Sequence, residues 1–222
     1  MLLQRPALHV IFDLDGILLD TETLYTQAIQ AVVSEYGKQF DWSLKANMIG
    51  RDSREGARYL VEALGLPLSG AEFLARRRPH LERLFPDVNE KPGASAFVAS
   101  LSERGVRMAV ATSCERSLTE IKLVKHPWFG QFEHLVCGDD PGVERLKPAP
   151  DIFLVAASKL GVAAADCVVL EDSPAGVDAA LAAGMQVVAM PDAELGPERF
   201  GHATAVVAGY AELSPASFGM SG

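Results

Sequence analysis

Six short apolar runs punctuate the chain: LHVIFDLD (8–15), VRMAVATS (106–113), HLVCGDD (134–140), CVVLEDS (167–173), MQVVAMPD (185–192) and a weaker ATAVVAG (203–209). They are continuous rather than alternating, as strands covered on both faces are in a parallel sheet. Helical patterns separate the later runs. In GASAFVASLSERG, Phe97, Val98 and Leu101 share a face and Gly105 offers a left-handed stop. PDIFLVAASKLG opens on Pro150 and closes on Gly161. SPAGVDAALAAG has Ser173 as N-cap, Pro174 in the first turn and Gly184 at its end. Strands alternating with helices of this length predict an α/β fold with a Rossmann-like parallel-sheet core.

One region breaks the alternation. From residue 21 to residue 88 the pattern is helical throughout. TETLYTQAIQAVVSEYG carries Leu24, Ala28 and Val32 at four-residue spacing, and REGARYLVEALG carries Ala57, Leu60, Val61 and Leu64. Ser69 and Glu72 form a capping box for a third helix, which Pro79 is expected to kink or interrupt. The arrangement predicts a core of residues 1–20 and 89–222 with an inserted all-helical cap over 21–88. The hinges fall near Asp20 and in FPDVNEKPG (85–93).

The 222 residues are 49% hydrophobic, enough for a sizeable core, and carry a formal net charge of −9. An acidic chain argues against nucleic acid as a partner. An anionic small molecule would need local positive charge. Cys114, Cys137 and Cys167 are odd in number, lack metal-ligand spacing and read as small buried residues. No apolar stretch approaches the roughly 20 residues that span a bilayer, and MLLQRPALHV lacks the features of a signal peptide. The expectation is a soluble cytoplasmic protein with no membrane partner. Oligomeric state is not legible.

Ligands of open parallel sheets bind outside the carboxyl ends of the strands. The first run ends in Asp13 and Asp15, the second in Thr112 and Ser113, and the fourth in Glu171 and Asp172. Lys147 lies between the third run and the helix after it. Each has a plain reading: a solvated acidic pair, a strand-ending hydroxyl, a surface lysine, a helix cap. Their joint appearance on successive strand ends points instead to one chemical site.

The set FDLDG, VATS, LKPAPDIF and LEDSPAG resembles the four motifs of the haloacid dehalogenase superfamily across nearly the whole chain. DGILLDTE, the early helical insert and VCGDDPGVERLKPAPDIFL look most like the β-phosphoglucomutase and sugar-phosphatase branch, and especially its pseudouridine-5′-phosphatase-like members. The resemblance implies that Asp13 is a nucleophile forming an aspartyl phosphate. Asp15, two residues on, would be the general acid and then the general base. It implies Mg2+ held by the Asp13 side chain, the Asp15 carbonyl and the Asp172 side chain, with Glu171 either a ligand or an outer partner. Two like charges at about 4 Å cost roughly 4 kcal/mol at an effective dielectric of 20, so such a cluster needs a hard cation.

Lys147 would neutralise the phosphoryl oxygens. Thr112 and the amides of Ser113 and Leu14 would donate hydrogen bonds to them. In relatives a loop like NMIGRDSRE (47–55) faces the site. There Gly50 allows close approach of backbone, and Arg51 either reaches substrate or stays solvated. Asp20 and Thr21 read as an N-cap, with a hinge or site wall as the alternative. Arg76, Arg77 and Arg78 read as a solvated helix face. The implied activity is Mg2+-dependent hydrolysis of a small phosphomonoester, a sugar phosphate or a nucleoside monophosphate. A phosphomutase of the β-phosphoglucomutase type is the rival. Mutases carry a histidine in the first cap helix where this chain has Tyr25, which favours hydrolysis. A dehalogenase would need neither Asp15 nor a metal.

Overall fold

The structure, a computed structural model, describes residues 2–48, 53–192 and 195–220. Six parallel strands are formed by the predicted runs: β1 (His9–Phe12), β2 (Arg107–Thr112), β3 (His134–Cys137), β4 (Cys167–Glu171), β5 (Gln186–Ala189) and β6 (Ala205–Val206). They lie in the order β3-β2-β1-β4-β5-β6. Their side chains alternate between two apolar layers. Val10, Phe12, Val110, Val168 and Leu170 enter one, with Phe97, Val98 and Leu101 of α5 (Ala94–Ser102). Ile11, Ala109, Ala111, Val169 and Val187 enter the other. That layer is closed by Ile152, Phe153 and Leu160 of α7 (Asp151–Leu160) and Val177 and Ala180 of α8 (Pro174–Ala182). Burial on both faces explains the unbroken apolar runs, since each fully buried side chain of this size contributes about 1.5–3 kcal/mol.

β1 is central, with β2 on one side and β4 on the other. The chain order reverses there, which opens a crevice at the strands' carboxyl ends. Asp13 follows β1 directly, and its backbone N–H donates to Leu170 O of β4 at 3.0 Å.

Between β1 and α5 the chain forms α1 (Glu22–Ser34), α2 (Trp42–Met48), α3 (Ser53–Leu64) and α4 (Gly70–Leu84). Ile29, Val32, Val33, Ala57, Leu60 and Phe73 give these helices an apolar cluster of their own. A second cluster joins them to the sheet: Ala28, Leu81 and Phe85 pack on Leu118 of α6 (Arg116–Leu123). The two connecting segments are paired by backbone hydrogen bonds, Asp20 N–H to Asn89 O and Lys91 N–H to Leu18 O, both 2.9 Å.

The structure departs from the sequence reading in several places. Helix α4 runs through Pro79, so of the two expected effects, a kink or an interruption, the interruption does not occur. Phe73 and Leu81, buried on either side, anchor the helix, and the Ser69–Glu72 capping box holds its start. Thr21 precedes α1 but makes no side-chain cap bond; its hydroxyl is buried without a partner among the described residues. The arginine run is not simply solvated. Arg76 pairs with Glu35, but Arg78 reaches from α4 to Glu115 and Ser117 at 2.8 and 2.9 Å, and Arg77 Nε is buried. Cys137 and Cys167 are buried as expected, whereas Cys114 is only half-buried. Gly50 and Arg51 lie outside the described residues.

Candidate active site

The strand ends bring Asp13, Asp15, Thr112, Glu171 and Asp172 to one rim, and Lys147 reaches it from the loop before α7. Asp13 is 6% exposed and Glu171 fully buried. The Lys147 ammonium donates to Asp13 Oδ1 and, at 2.6 Å, to Glu171 Oε1. The other Glu171 oxygen accepts from the Ser173 backbone N–H at 2.9 Å and from its hydroxyl at 3.0 Å. Both Glu171 oxygens are thereby occupied. The fit is close, because a Cβ on Gly176 would stand 1.8 Å from Glu171 Oε1.

Asp172 lies against the turn after β1. Gly16 has φ +80°, and a Cβ there would stand 1.9 Å from Asp172 Oδ2. The glycine of the DLDG motif therefore serves two needs, a left-handed backbone and room for the carboxylate of the neighbouring strand. Gly16→Ala is expected to lower stability by about 1–3 kcal/mol and to displace Asp172. Urea unfolding and turnover, measured together, check this; a variant unchanged in both would contradict it.

Burial dominates the charge balance. It pushes the Asp13 carboxyl up to about 7, aided by Glu171 and Asp15 and opposed by Lys147. It also raises Asp172 well above the usual carboxylate range, with Glu171 and Asp13 adding to the effect. Desolvation works against the Lys147 ammonium, but Asp13 and Glu171 more than offset it and hold its pKa above the ordinary lysine value.

Sequence reasoning missed Lys122. This α6 residue has a side chain 0% exposed and donates to Asp15 Oδ1 at 2.6 Å and Oδ2 at 2.9 Å. Its third partner is the Tyr25 hydroxyl of α1, at 3.2 Å. The rim thus holds four carboxylates against two ammonium groups. Lys122 answers Asp15 and Lys147 is shared by Asp13 and Glu171, while no lysine or arginine pairs with Asp172 among the described residues.

Thr112 is buried, donates to Asp15 Oδ2 at 3.3 Å and accepts from the Cys114 backbone N–H at 3.1 Å. Ser113 is exposed, and Leu14, between Asp13 and Asp15 in the chain, is buried.

Surplus negative charge on oxygen ligands suits a hard divalent cation. Among the described residues no three His, Cys, Asp or Glu side chains gather into a ready-made metal cluster. A site built from two carboxylates and a backbone carbonyl needs no such trio. The raised Asp13 and Asp172 carboxyls fit it, since neutralising them is what a cation does. A carboxyl raised on folding keeps a proton that the unfolded chain has lost. Without metal, stability should therefore fall as pH rises from about 4 to about 7, the interval between the ordinary and folded values for Asp13. Saturating Mg2+ should raise the unfolding temperature more at pH 8 than at pH 5. Thermal scans with Mg2+ or EDTA test this; an equal shift at both pH values would count against it.

Comparison with known proteins identifies the family. The family model described as haloacid dehalogenase-like hydrolase matches residues 10–190. A Drosophila melanogaster protein named "Probable pseudouridine-5'-phosphatase" is 42% identical over 220 residues, covering 97% of this chain and 95% of that one. (DL)-glycerol-3-phosphatase 2 of Arabidopsis thaliana is 39% identical over 218 residues, covering 96% and 91%. Among solved structures, a HAD family hydrolase from Deinococcus radiodurans with bound phosphate and sodium superposes with a TM-score of 0.78 at 29% identity, covering 98% of both chains. The chain belongs to the haloacid dehalogenase-like hydrolases, and within them it is a phosphoric monoester hydrolase.

Proposed function

We propose that this hydrolase cleaves a small phosphorylated metabolite, a sugar phosphate or a nucleoside monophosphate such as pseudouridine 5′-phosphate, in an Mg2+-dependent reaction through an aspartyl phosphate. The observation that carries the reading is Asp13, buried at the end of β1 and held by Lys147, which also binds Glu171. The names of the relatives support the substrate class.

In the first step an Asp13 carboxylate oxygen bonds to phosphorus as the ester P–O bond breaks. Asp15, whose two oxygens accept from Lys122 in the structure, frees one of them, takes up a proton there and gives it to the departing alcohol oxygen. In the second, water bonds to phosphorus, its proton passes to Asp15, and the bond from Asp13 to phosphorus breaks to release phosphate. Lys147 balances charge on Asp13 and on the phosphoryl oxygens. The amides of Ser113 and Leu14 and the Thr112 hydroxyl donate to those oxygens. The Thr112 hydroxyl faces Asp15 in the structure and turns away from it to do so. Asp13, the Asp15 carbonyl and Asp172 would hold Mg2+, which lowers the cost of bringing a phosphate dianion to a carboxylate. Glu171, with both oxygens engaged, is better suited to the outer role of fixing Lys147 than to that of a direct ligand.

Residues 21–88 act as the cap in this reading. The enzyme meets its substrate in the cytoplasm. No helix among the described residues is long and apolar enough to cross a membrane.

The test is phosphate release from a panel including pseudouridine 5′-phosphate, sugar phosphates and glycerol 3-phosphate, with Mg2+ or EDTA. Metal-dependent release from at least one is expected, and an inert panel would refute the reading. Isomerised sugar phosphate from β-glucose 1-phosphate, without phosphate release, would install the mutase instead.

A further inference from the structure

Lys122 is hard to explain by stability. Its side chain is fully buried where α6, the end of β1, α1 and the segment after α4 meet. Its ammonium lies over the ring faces of Phe85, 4.6 Å from the centroid, and Tyr25, at 5.3 Å. Phe85 belongs to an apolar cluster with Ala28, Leu81 and Leu118. In such surroundings a buried ion pair is often no more stable than a hydrophobic replacement of equal volume. A methionine would fill the same space without the cost of desolvating an ammonium. What methionine cannot do is grip a carboxylate.

The grip is specific. The ammonium donates to both Asp15 oxygens and to the Tyr25 hydroxyl. The ammonium, held at its other side by Tyr25, restricts the rotation of the Asp15 carboxylate. Tyr25 is itself seated by the helical segment: its ring meets Phe85 edge-on at 5.3 Å, and the Arg77 guanidinium of α4 lies 5.6 Å from its centroid. Lys122 thus connects the inserted helices to Asp15.

We propose that Lys122, anchored by Tyr25, is the positioning residue for Asp15, aiming its carboxyl at the leaving-group oxygen when the helical segment is seated. The inference rests on the proposed reading of Asp15 as the acid and base of an aspartyl-phosphate mechanism. It predicts a loss that depends on the alcohol. A misaimed Asp15 harms departure of an alkoxide that must be protonated. It spares departure of p-nitrophenolate, which leaves as the anion.

The quantity to read is kcat/KM, which for both esters ends at leaving-group departure. Lys122→Met is expected to lose about 10²-fold in kcat/KM on an alkyl phosphomonoester, the scale of a reacting group misplaced by about an ångström, and far less on p-nitrophenyl phosphate. The second step still needs Asp15 to take a proton from water. With p-nitrophenyl phosphate the variant should therefore show a burst of one nitrophenolate per enzyme, with kcat and KM falling together. Tyr25→Phe, which removes one oxygen and keeps the ring, should shift the ratio of the two esters in the same direction, so the test survives if the methionine variant folds poorly. In an Asp15→Asn background, Lys122→Met should add little further loss on the alkyl ester.

Equal losses on both esters, or a fully additive double variant, would overturn the inference. Asp13→Asn is the control. If it is inactive while Lys122→Met shows no leaving-group dependence, only the role of Lys122 fails. If Asp13→Asn still turns over, the mechanism beneath both fails.

Discussion

Asp13→Asn is expected to reduce turnover by about 10⁴-fold or more, the scale seen when a covalent nucleophile is removed. An amide oxygen neither carries the charge nor forms a stable acyl phosphate, so the remaining donors can bind phosphate without transferring it. The substitution also removes one of the crowded negative charges. The Asp13 carboxyl is raised to about 7 because its ionised form is poorly tolerated in this setting. Without Mg2+ the variant should therefore be at least as stable as the parent above pH 7, and its stabilisation by Mg2+ should shrink. Phosphate release and thermal unfolding, measured on one preparation, decide both points. Ordinary activity would refute the mechanism; lost activity with lost stability would show that the residue had been holding the fold instead.

Lys147→Met should have the second largest effect. The ammonium is 8% exposed and bonded to two carboxylates, Asp13 and Glu171, which lie otherwise without a counter-charge between them. Removing one partner of such a buried set costs about 3–5 kcal/mol. In a chain of this size that lowers the unfolding temperature by about 10 °C. Activity should fall by about 10²–10³-fold, because the phosphoryl oxygens lose a preorganised positive charge. The stability loss should be smaller at pH 5 than at pH 8, since protonating a carboxyl relieves the repulsion that the lysine had balanced. Scanning calorimetry of parent and variant across that range is the measurement. An unfolding temperature within a degree of the parent would show that the pair contributes nothing.

The sheet was legible because burial on both faces leaves a run of apolar side chains that nothing else in the chain imitates. The carboxylates and the hydroxyl of the rim were legible because they sit at the ends of such runs: Asp13 and Asp15 after Phe12, Thr112 in β2, Glu171 closing β4. The hidden parts have a common physical cause. Lys122 lies in α6, eight residues long, within ERSLTEIKL, a polar stretch whose lysine looks solvated. Only the packing of α6 beneath Phe85 and Tyr25 turns that lysine inward. Arg77 was misread for the same reason, because it lies over the Tyr25 ring of α1, while Arg78, still largely solvated, adds a bond to Glu115. Pro79 does not interrupt α4, since packing on both sides of it outweighs one missing hydrogen bond. The use of both Glu171 oxygens could not be foreseen, because the choice between ligand and support is made by Lys147 and Ser173 in three dimensions.

β1 precedes the other five strands in chain order yet lies inside the finished sheet. His9 sits beside Arg107 on one flank and Cys167 on the other. A chain leaving the ribosome therefore carries Asp13 long before β4, which flanks β1, has emerged. Such distant pairings make assembly slow, and they leave an apolar ribbon uncovered in the interval. Fragments ending before residue 167 should accordingly aggregate rather than act as partial enzymes.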